Sequence, residues 1–206
     1  MSFFPFFVDI EGQNCLVVGG GSVAYRKVCT LLPFGVQIRL VAVEVSEKIN
    51  RLVGESGGRL VVERRAFEEG DVEGMLFVIA ATQNEQCSRQ IADICRRKNI
   101  LVNVADDRDK CSFYFPSLIK KGELVAGICS GGNSPALARR VRQEIEGCIP
   151  EYYAELNDNL GRLRPYARKT FETQAQRQSC YDELIQRSKM RGEALSLEEM
   201  RKMIDS

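Results

Sequence analysis

Asn14-Cys15-Leu16-Val17-Val18-Gly19-Gly20-Gly21-Ser22-Val23-Ala24-Tyr25-Arg26-Lys27 is the stretch whose reading decides the fold. Cys15 to Val18 is a short continuous apolar run, as a strand buried on both faces requires, and it enters three glycines directly. Gly19, Gly21 and Ala24 fit G-x-G-x-x-A, which opens the helix of a dinucleotide-binding βαβ unit, with Gly20 inside the same turn. In that pattern Gly19 allows a tight turn, Gly21 lets backbone approach a pyrophosphate, and Ala24 lets helix and strand pack closely. The helix N-terminus then faces the phosphates with unpaired N–H groups. A glycine turn that binds nothing is the competing reading, and the neighbouring sequence decides against it.

Gln37 to Val43 supplies a second strand pattern at the βαβ interval. Glu44 follows it, near the place where a ribose-binding carboxylate is expected, about 20 residues beyond the glycines. It sits slightly late, so a solvated loop acid is its other reading. No basic cluster takes its place, which favours NAD over NADP. Tyr25 to Leu32 reads as a helix stopped by Pro33 and Gly35. Arg26 and Lys27 lie in its first turns, against the helix dipole, where they either reach an anionic ligand or are solvated. Ahead of the glycine unit, Phe3, Phe4, Phe6 and Phe7 around Pro5 read as an apolar edge strand that fills the core.

Further along, Ser46 is expected to cap a helix to about Glu55, and Arg59 to Arg64 alternates as a strand. Leu76 to Ala81 is another buried run. Thr82-Gln83-Asn84 ends it and caps a helix with apolar Cys87, Ile91, Ile94 and Cys95. Ligands of open parallel sheets bind beyond the strands' carboxyl ends, which puts Ala81 and Thr82 beside the cofactor's path. Ile100 to Val104 is a fifth strand, and this alternation predicts a doubly wound Rossmann-type α/β domain. The pattern then changes. The charged stretch Asp106-Asp107-Arg108-Asp109-Lys110 leads, after Phe113 to Pro116, into two strands that read as an antiparallel pair, the second from Glu123 to Ile128. In Ser130-Gly131-Gly132-Asn133-Ser134-Pro135, Ser134 suits the N-cap and Pro135 the first helical position. The helix is expected to hold its positive end open beyond Ser130 and the glycines. Leu137, Val141 and Ile145 share one of its faces, and Arg140–Glu144 and Arg142–Glu146 are spaced as surface pairs. From Pro150 the chain reads as helices over 151–169, 171–190 and 197–204, the last capped by Ser196.

Composition narrows the function. A net charge of +1 with 28% charged residues argues against nucleic-acid binding as the main task. No apolar run approaches the roughly 18 residues of a membrane span, and the N-terminus lacks the basic start of a signal peptide, so a cytoplasmic protein is expected. The eight cysteines are scattered without C-x-x-C and read as buried thiols, against a metal or thiol-redox centre. With no histidine in the chain, acid–base chemistry falls to carboxylates, lysines, tyrosines or thiols.

GGGSVAYRK, IAAT, NVADD and CSFYFPSLIKKGELVAGICSGGNSPALARRVRQEIE, in this order from about Phe6 to Pro150, resemble the precorrin-2 dehydrogenase family, the N-terminal part of siroheme synthases. The C-terminal helices match only in kind. The resemblance implies NAD-dependent oxidation of precorrin-2 to sirohydrochlorin, in some members followed by ferrous iron insertion. It implies a homodimer with a Rossmann domain (1–112), a small α+β dimerisation domain (113–149) and a helical tail (150–206). No methyltransferase domain is matched, so this chain is not expected to make precorrin-2. The family's catalytic aspartate falls on Asp106, expected as general base, with Asp107 and Asp109 as neighbours that either reach the site as well or belong to a charged turn. Cofactor contacts fall on Ser22, Val23, Val43 and Glu44, the last two in this family often through backbone. The polycarboxylate substrate is expected to meet Asn103, Ser130, Gly131, Gly132, Asn133 and Ser134, with Lys120, Lys121, Arg139 and Arg140 as cations. No metal ligand is assigned. A non-catalytic NAD-sensing regulatory module is the alternative from a different class.

Overall fold

The computed structural model describes residues 4–205. The chain divides into two compact units, the first ending at Phe115 and the second beginning at Pro116.

The first unit is built on five parallel strands: β1 (Asn14–Val18), β2 (Gln37–Val41), β3 (Leu60–Glu63), β4 (Phe77–Ala80) and β5 (Leu101–Val104), in the order β3-β2-β1-β4-β5. Helices α1 (Ser22–Leu31), α2 (Glu47–Glu55) and α3 (Glu85–Lys98) connect them. This is the Rossmann order, whose direction of winding reverses between β1 and β4. Period-two alternation sends neighbouring side chains to opposite faces, and here both faces are covered. Cys15 and Val17 pack with Ile38, Leu40, Ile79 and the α1 and α2 residues Ala24, Val28 and Ile49. Leu16 and Val18 pack with Val78, Ala80, Val102, Val104 and the α3 residues Ile91, Ile94 and Cys95. Each Val, Leu or Ile among them taken fully out of water contributes roughly 1.5–3 kcal/mol.

Several expectations are corrected here. Residues 4–10 form no strand, and Phe4, Phe6 and Phe7 are 84, 68 and 75% exposed, while Phe3 lies outside the described residues. Apolar composition marks what a segment can bury but names no partner for it, and among the described residues of that leader Ile10 alone packs on the unit's core. The first helix ends at Leu31, just ahead of Pro33 as expected. Pro33 lies in the 3-10 turn that follows, Leu32–Phe34, which left-handed Gly35 ends. Ser46 occupies the N-cap position of α2 without capping it, and its buried hydroxyl has no hydrogen-bond partner. Only Cys15 and Cys95 of the eight free cysteines are buried, and Cys129 and Cys148 are exposed.

Between β3 and β4 the buried Asp71 anchors an ion-pair network that sequence pattern does not reveal. Asp71, 5% exposed, accepts from both Arg65 guanidinium nitrogens at 2.8 and 2.6 Å and from the Glu68 amide at 2.8 Å. Arg39 of β2 reaches the same carboxylate at 3.8 Å. The Arg65 hydrogen bonds hold the Asp71 carboxyl below its ordinary pKa against the effect of burial.

In the second unit, β6 (Ser117–Lys121) and β7 (Leu124–Ile128) pair antiparallel, Ser117 opposite Ile128, around left-handed Gly122. Helix α4 (Pro135–Cys148) packs on this hairpin with Ala138 inward, while Leu137 and Ile145 stay exposed. Helices α5 (Tyr153–Thr170), α6 (Gln174–Arg191) and α7 (Leu197–Asp205) enclose their own core of Leu156, Leu163, Leu184, Leu195 and Met200. Helix α6 starts three residues later than its apolar pattern suggests because Thr173 and Gln176 form a reciprocal capping box. No described helix is long and apolar enough to cross a membrane.

Candidate functional site

The glycine loop sits where the winding reverses. Gly19, at φ 118°, donates its amide to the Val41 carbonyl at 2.9 Å, and Ala81 donates to Val18 at 2.8 Å, so the ends of β1, β2 and β4 converge on it. A Cβ on Gly19 would collide with the Ala81 carbonyl oxygen, and one on Gly20 with that of Glu44. The Gly20 carbonyl in turn accepts from the Ser46 amide at 3.0 Å. A Cβ on Gly21, by contrast, would meet no protein atom within 4 Å. Two glycines therefore serve internal packing and the third borders open space.

That space lies at the start of α1. Gly21 is the N-cap, no side chain caps the helix, and its first turn carries no acid. The partial positive charge at this end meets no acid of the helix's own first turn. The donor set fits a pyrophosphate: Ser22 and Val23 stand in the first turn, and Val43 and Glu44, both exposed, stand beyond β2. Ala81 and Thr82 follow β4, where the Thr82 hydroxyl accepts from the Asn84 amide at 3.2 Å.

Beyond β5, next to β4 in the sheet, the chain turns through Ala105 and Asp106. Asp106 is exposed and left-handed, at φ 62°. Among the described residues no side chain is hydrogen-bonded or ion-paired to its carboxylate. Asp107 differs, since Lys110 pairs with it and holds its pKa low. The geometry thus separates the three neighbouring acids that sequence left together: Asp107 is neutralised, and Asp109 lies in the following 3-10 turn.

Lys27 is the residue that sequence reading left undecided. Its amine stands 3.7 Å from the centre of the Phe115 ring, and burial pushes its pKa down to about 8. Asp106 and Cys111 oppose that shift, and Arg26 adds to it.

Other expected contacts are committed to the fold. Asn103 is 6% exposed, and its amide donates to the Phe113 carbonyl at 3.1 Å. Lys120 donates to the Gly122 carbonyl at 2.6 Å, and Lys121 bonds the Ile149 carbonyl at 2.6 Å and Glu151 at 2.5 Å. Arg140 pairs with Glu144 at 2.7 Å and Arg142 with Glu146, both as the spacing suggests. Arg139 is exposed.

In the second unit, Ser130 to Ser134 form a compact loop through left-handed Gly131 and Gly132. The start of α4 is less open than expected. Ser134 caps it, accepting from the Leu137 amide at 3.2 Å, and the Ser130 hydroxyl accepts from the Ser134 amide at 3.1 Å.

Fold and loop define a nucleotide-binding α/β chain, and the comparisons agree. A family model described as "Putative NAD(P)-binding" matches residues 6–117, more than half the chain, and "Sirohaem biosynthesis protein central" matches 127–147. The chain belongs to this NAD(P)-binding family. It is similar to siroheme synthase of Pseudomonas fluorescens (strain SBW25), 35% identical over 186 residues that cover 90% of this chain and 40% of the relative. Siroheme synthase of Vesicomyosocius okutanii subsp. Calyptogena okutanii (strain HA) is 33% identical over 185 residues, covering 90 and 39%. The chain thus spans about 40% of the length of these curated relatives. The solved structure of SirC, precorrin-2 dehydrogenase, matches with a TM-score of 0.74 at 26% identity, covering 98% of both chains.

Proposed function

We propose that the protein is a cytoplasmic, homodimeric precorrin-2 dehydrogenase that passes a hydride from precorrin-2 to NAD and yields sirohydrochlorin. The observation that carries this reading is Asp106, an unpaired carboxylate presented in a left-handed turn at the carboxyl edge of the sheet whose glycine loop fits a pyrophosphate. NAD, when bound, supplies the hydride acceptor. The chain contributes the rest. The α1 N-terminus and loop amides hold the phosphates, Val43 and Glu44 border the ribose, and Ala81 and Thr82 line the path beyond β4. Asp106 takes the proton that leaves precorrin-2 as the hydride departs, so two electrons and two hydrogens are accounted for. Arg139 and the loop from Ser130 to Ser134 provide a cation and polar groups for a polycarboxylate in the second unit.

The test is anaerobic turnover of precorrin-2 with NAD, read as NADH and the sirohydrochlorin spectrum. Asp106→Ala should lose turnover by about 100-fold or more while still binding NAD. Retained NAD binding with no NADH from the unaltered protein would instead indicate an NAD-sensing module. Ferrous iron added to the same reaction reads iron insertion as a spectral change faster than the enzyme-free control.

A further inference from the structure

Cys111 has no part in the chemistry above, yet it sits under the turn that presents Asp106. Val104-Ala105-Asp106-Asp107 carries a positive φ at its third residue, the position that a type II turn reserves for glycine or asparagine. The bond that should close this turn, from the Asp107 amide to the Val104 carbonyl, is 3.5 Å long, at the outer limit for a hydrogen bond. Closure comes from elsewhere. Cys111 Sγ accepts from the Val104 amide at 3.2 Å and lies 3.3 Å from the Val104 carbonyl oxygen and 3.2 Å from that of Asp107. Asn103 Nδ2 approaches the same sulfur at 3.6 Å. The intervening 3-10 turn, Arg108–Lys110, brings Cys111 back beneath the turn, and the Lys110–Asp107 pair closes the outer side.

We propose that Cys111 is a positioning residue: its thiol clasps both ends of the 104–107 turn and so fixes the direction in which the Asp106 carboxylate leaves the sheet edge. The inference rests on the reading of Asp106 as general base. A sulfur suits the task because it accepts from the Val104 amide while its single S–H has two carbonyls in reach, those of Val104 and Asp107, one bonded at a time, with all three contacts between 3.2 and 3.3 Å. Burial raises the Cys111 pKa, which keeps the S–H donor in place at neutral pH.

The decisive experiment makes Cys111→Ala and Cys111→Ser, each alone and combined with Asp106→Ala. The first readout needs no substrate: a residue at positive φ gives a strong intraresidue amide–Hα cross-peak in NMR. Cys111→Ala should lose that cross-peak at Asp106, lower kcat about tenfold or more, and leave KM for NAD within about twofold. Cys111→Ser should restore part of both. On the Asp106→Ala background, Cys111→Ala should cause no further loss of kcat, because its effect passes through Asp106. Should Cys111→Ala fail to fold, Cys111→Val fills the volume without a donor or acceptor and carries the same expectations. An unchanged cross-peak in the variant, or a kcat loss that adds to that of Asp106→Ala, overturns the proposal. If the unaltered protein makes no NADH, the dehydrogenase reading fails, and the cross-peak still decides whether the thiol holds the turn.

Discussion

Alanine placed along the glycine loop separates packing from ligand approach. Gly19→Ala and Gly20→Ala each drive a methyl into a backbone carbonyl, so both should lose about 1–3 kcal/mol of stability together with NAD affinity. Gly21→Ala meets no protein atom, so it should leave the melting temperature within a degree or two and still weaken NAD binding about tenfold or more. Thermal melts alongside calorimetric titration of NAD check both patterns. Lys27 gives a pH signature. Its pKa falls from the ordinary 10.5 to about 8 in the fold, so the unfolded chain binds the extra proton between those values. Stability should therefore rise with pH across that window, and Lys27→Met should remove this part of the slope in denaturant melts. The glycines were legible because their types are dictated locally. Lys27 was not, since its burial depends on Phe115, a residue far along the chain.

At the level of elements, the two candidate anion-facing helix starts differ in kind. The start of α1 has no side-chain cap, whereas α4 is closed by Ser134 and Ser130. Ser134→Ala should cost about 1 kcal/mol, read by chemical denaturation, and the companion change Ser22→Ala far less. The segment between β3 and β4 depends on Asp71. Its folded pKa lies below the unfolded value, so its stabilisation is present above the ordinary carboxylate range and lost as pH falls through the folded pKa. Asp71→Asn should flatten that acid limb and lower stability at neutral pH by roughly 1–3 kcal/mol. Sequence pattern located every strand of the parallel sheet: β1 and β4 carry an apolar run because both their faces are buried, and β2, β3 and β5 still show apolar residues alongside polar ones. It missed the Arg39–Arg65–Asp71 network and misassigned Phe4, Phe6 and Phe7, since neither long-range charge pairing nor the lack of a packing partner is written in a local window.

For the molecule as a whole, the division at Phe115 gives each unit a core of its own. The nucleotide loop lies wholly in the first unit, so NAD at about 100 times its Kd should stabilise that unit by roughly 2.7 kcal/mol. A fragment ending at Phe115 should show the same gain in calorimetry, and the helical unit alone should show none. The left-handed turn at Asp106 also sets two selective pressures against each other. Glycine or asparagine would rest there with less backbone strain, so a library at this position ranked by cellular abundance should favour them over the native residue. The same library ranked by growth that depends on the reaction this chain performs, with no product supplied, should keep aspartate alone. Where those two rankings part, the chemistry of the chain can be located without purifying its substrate.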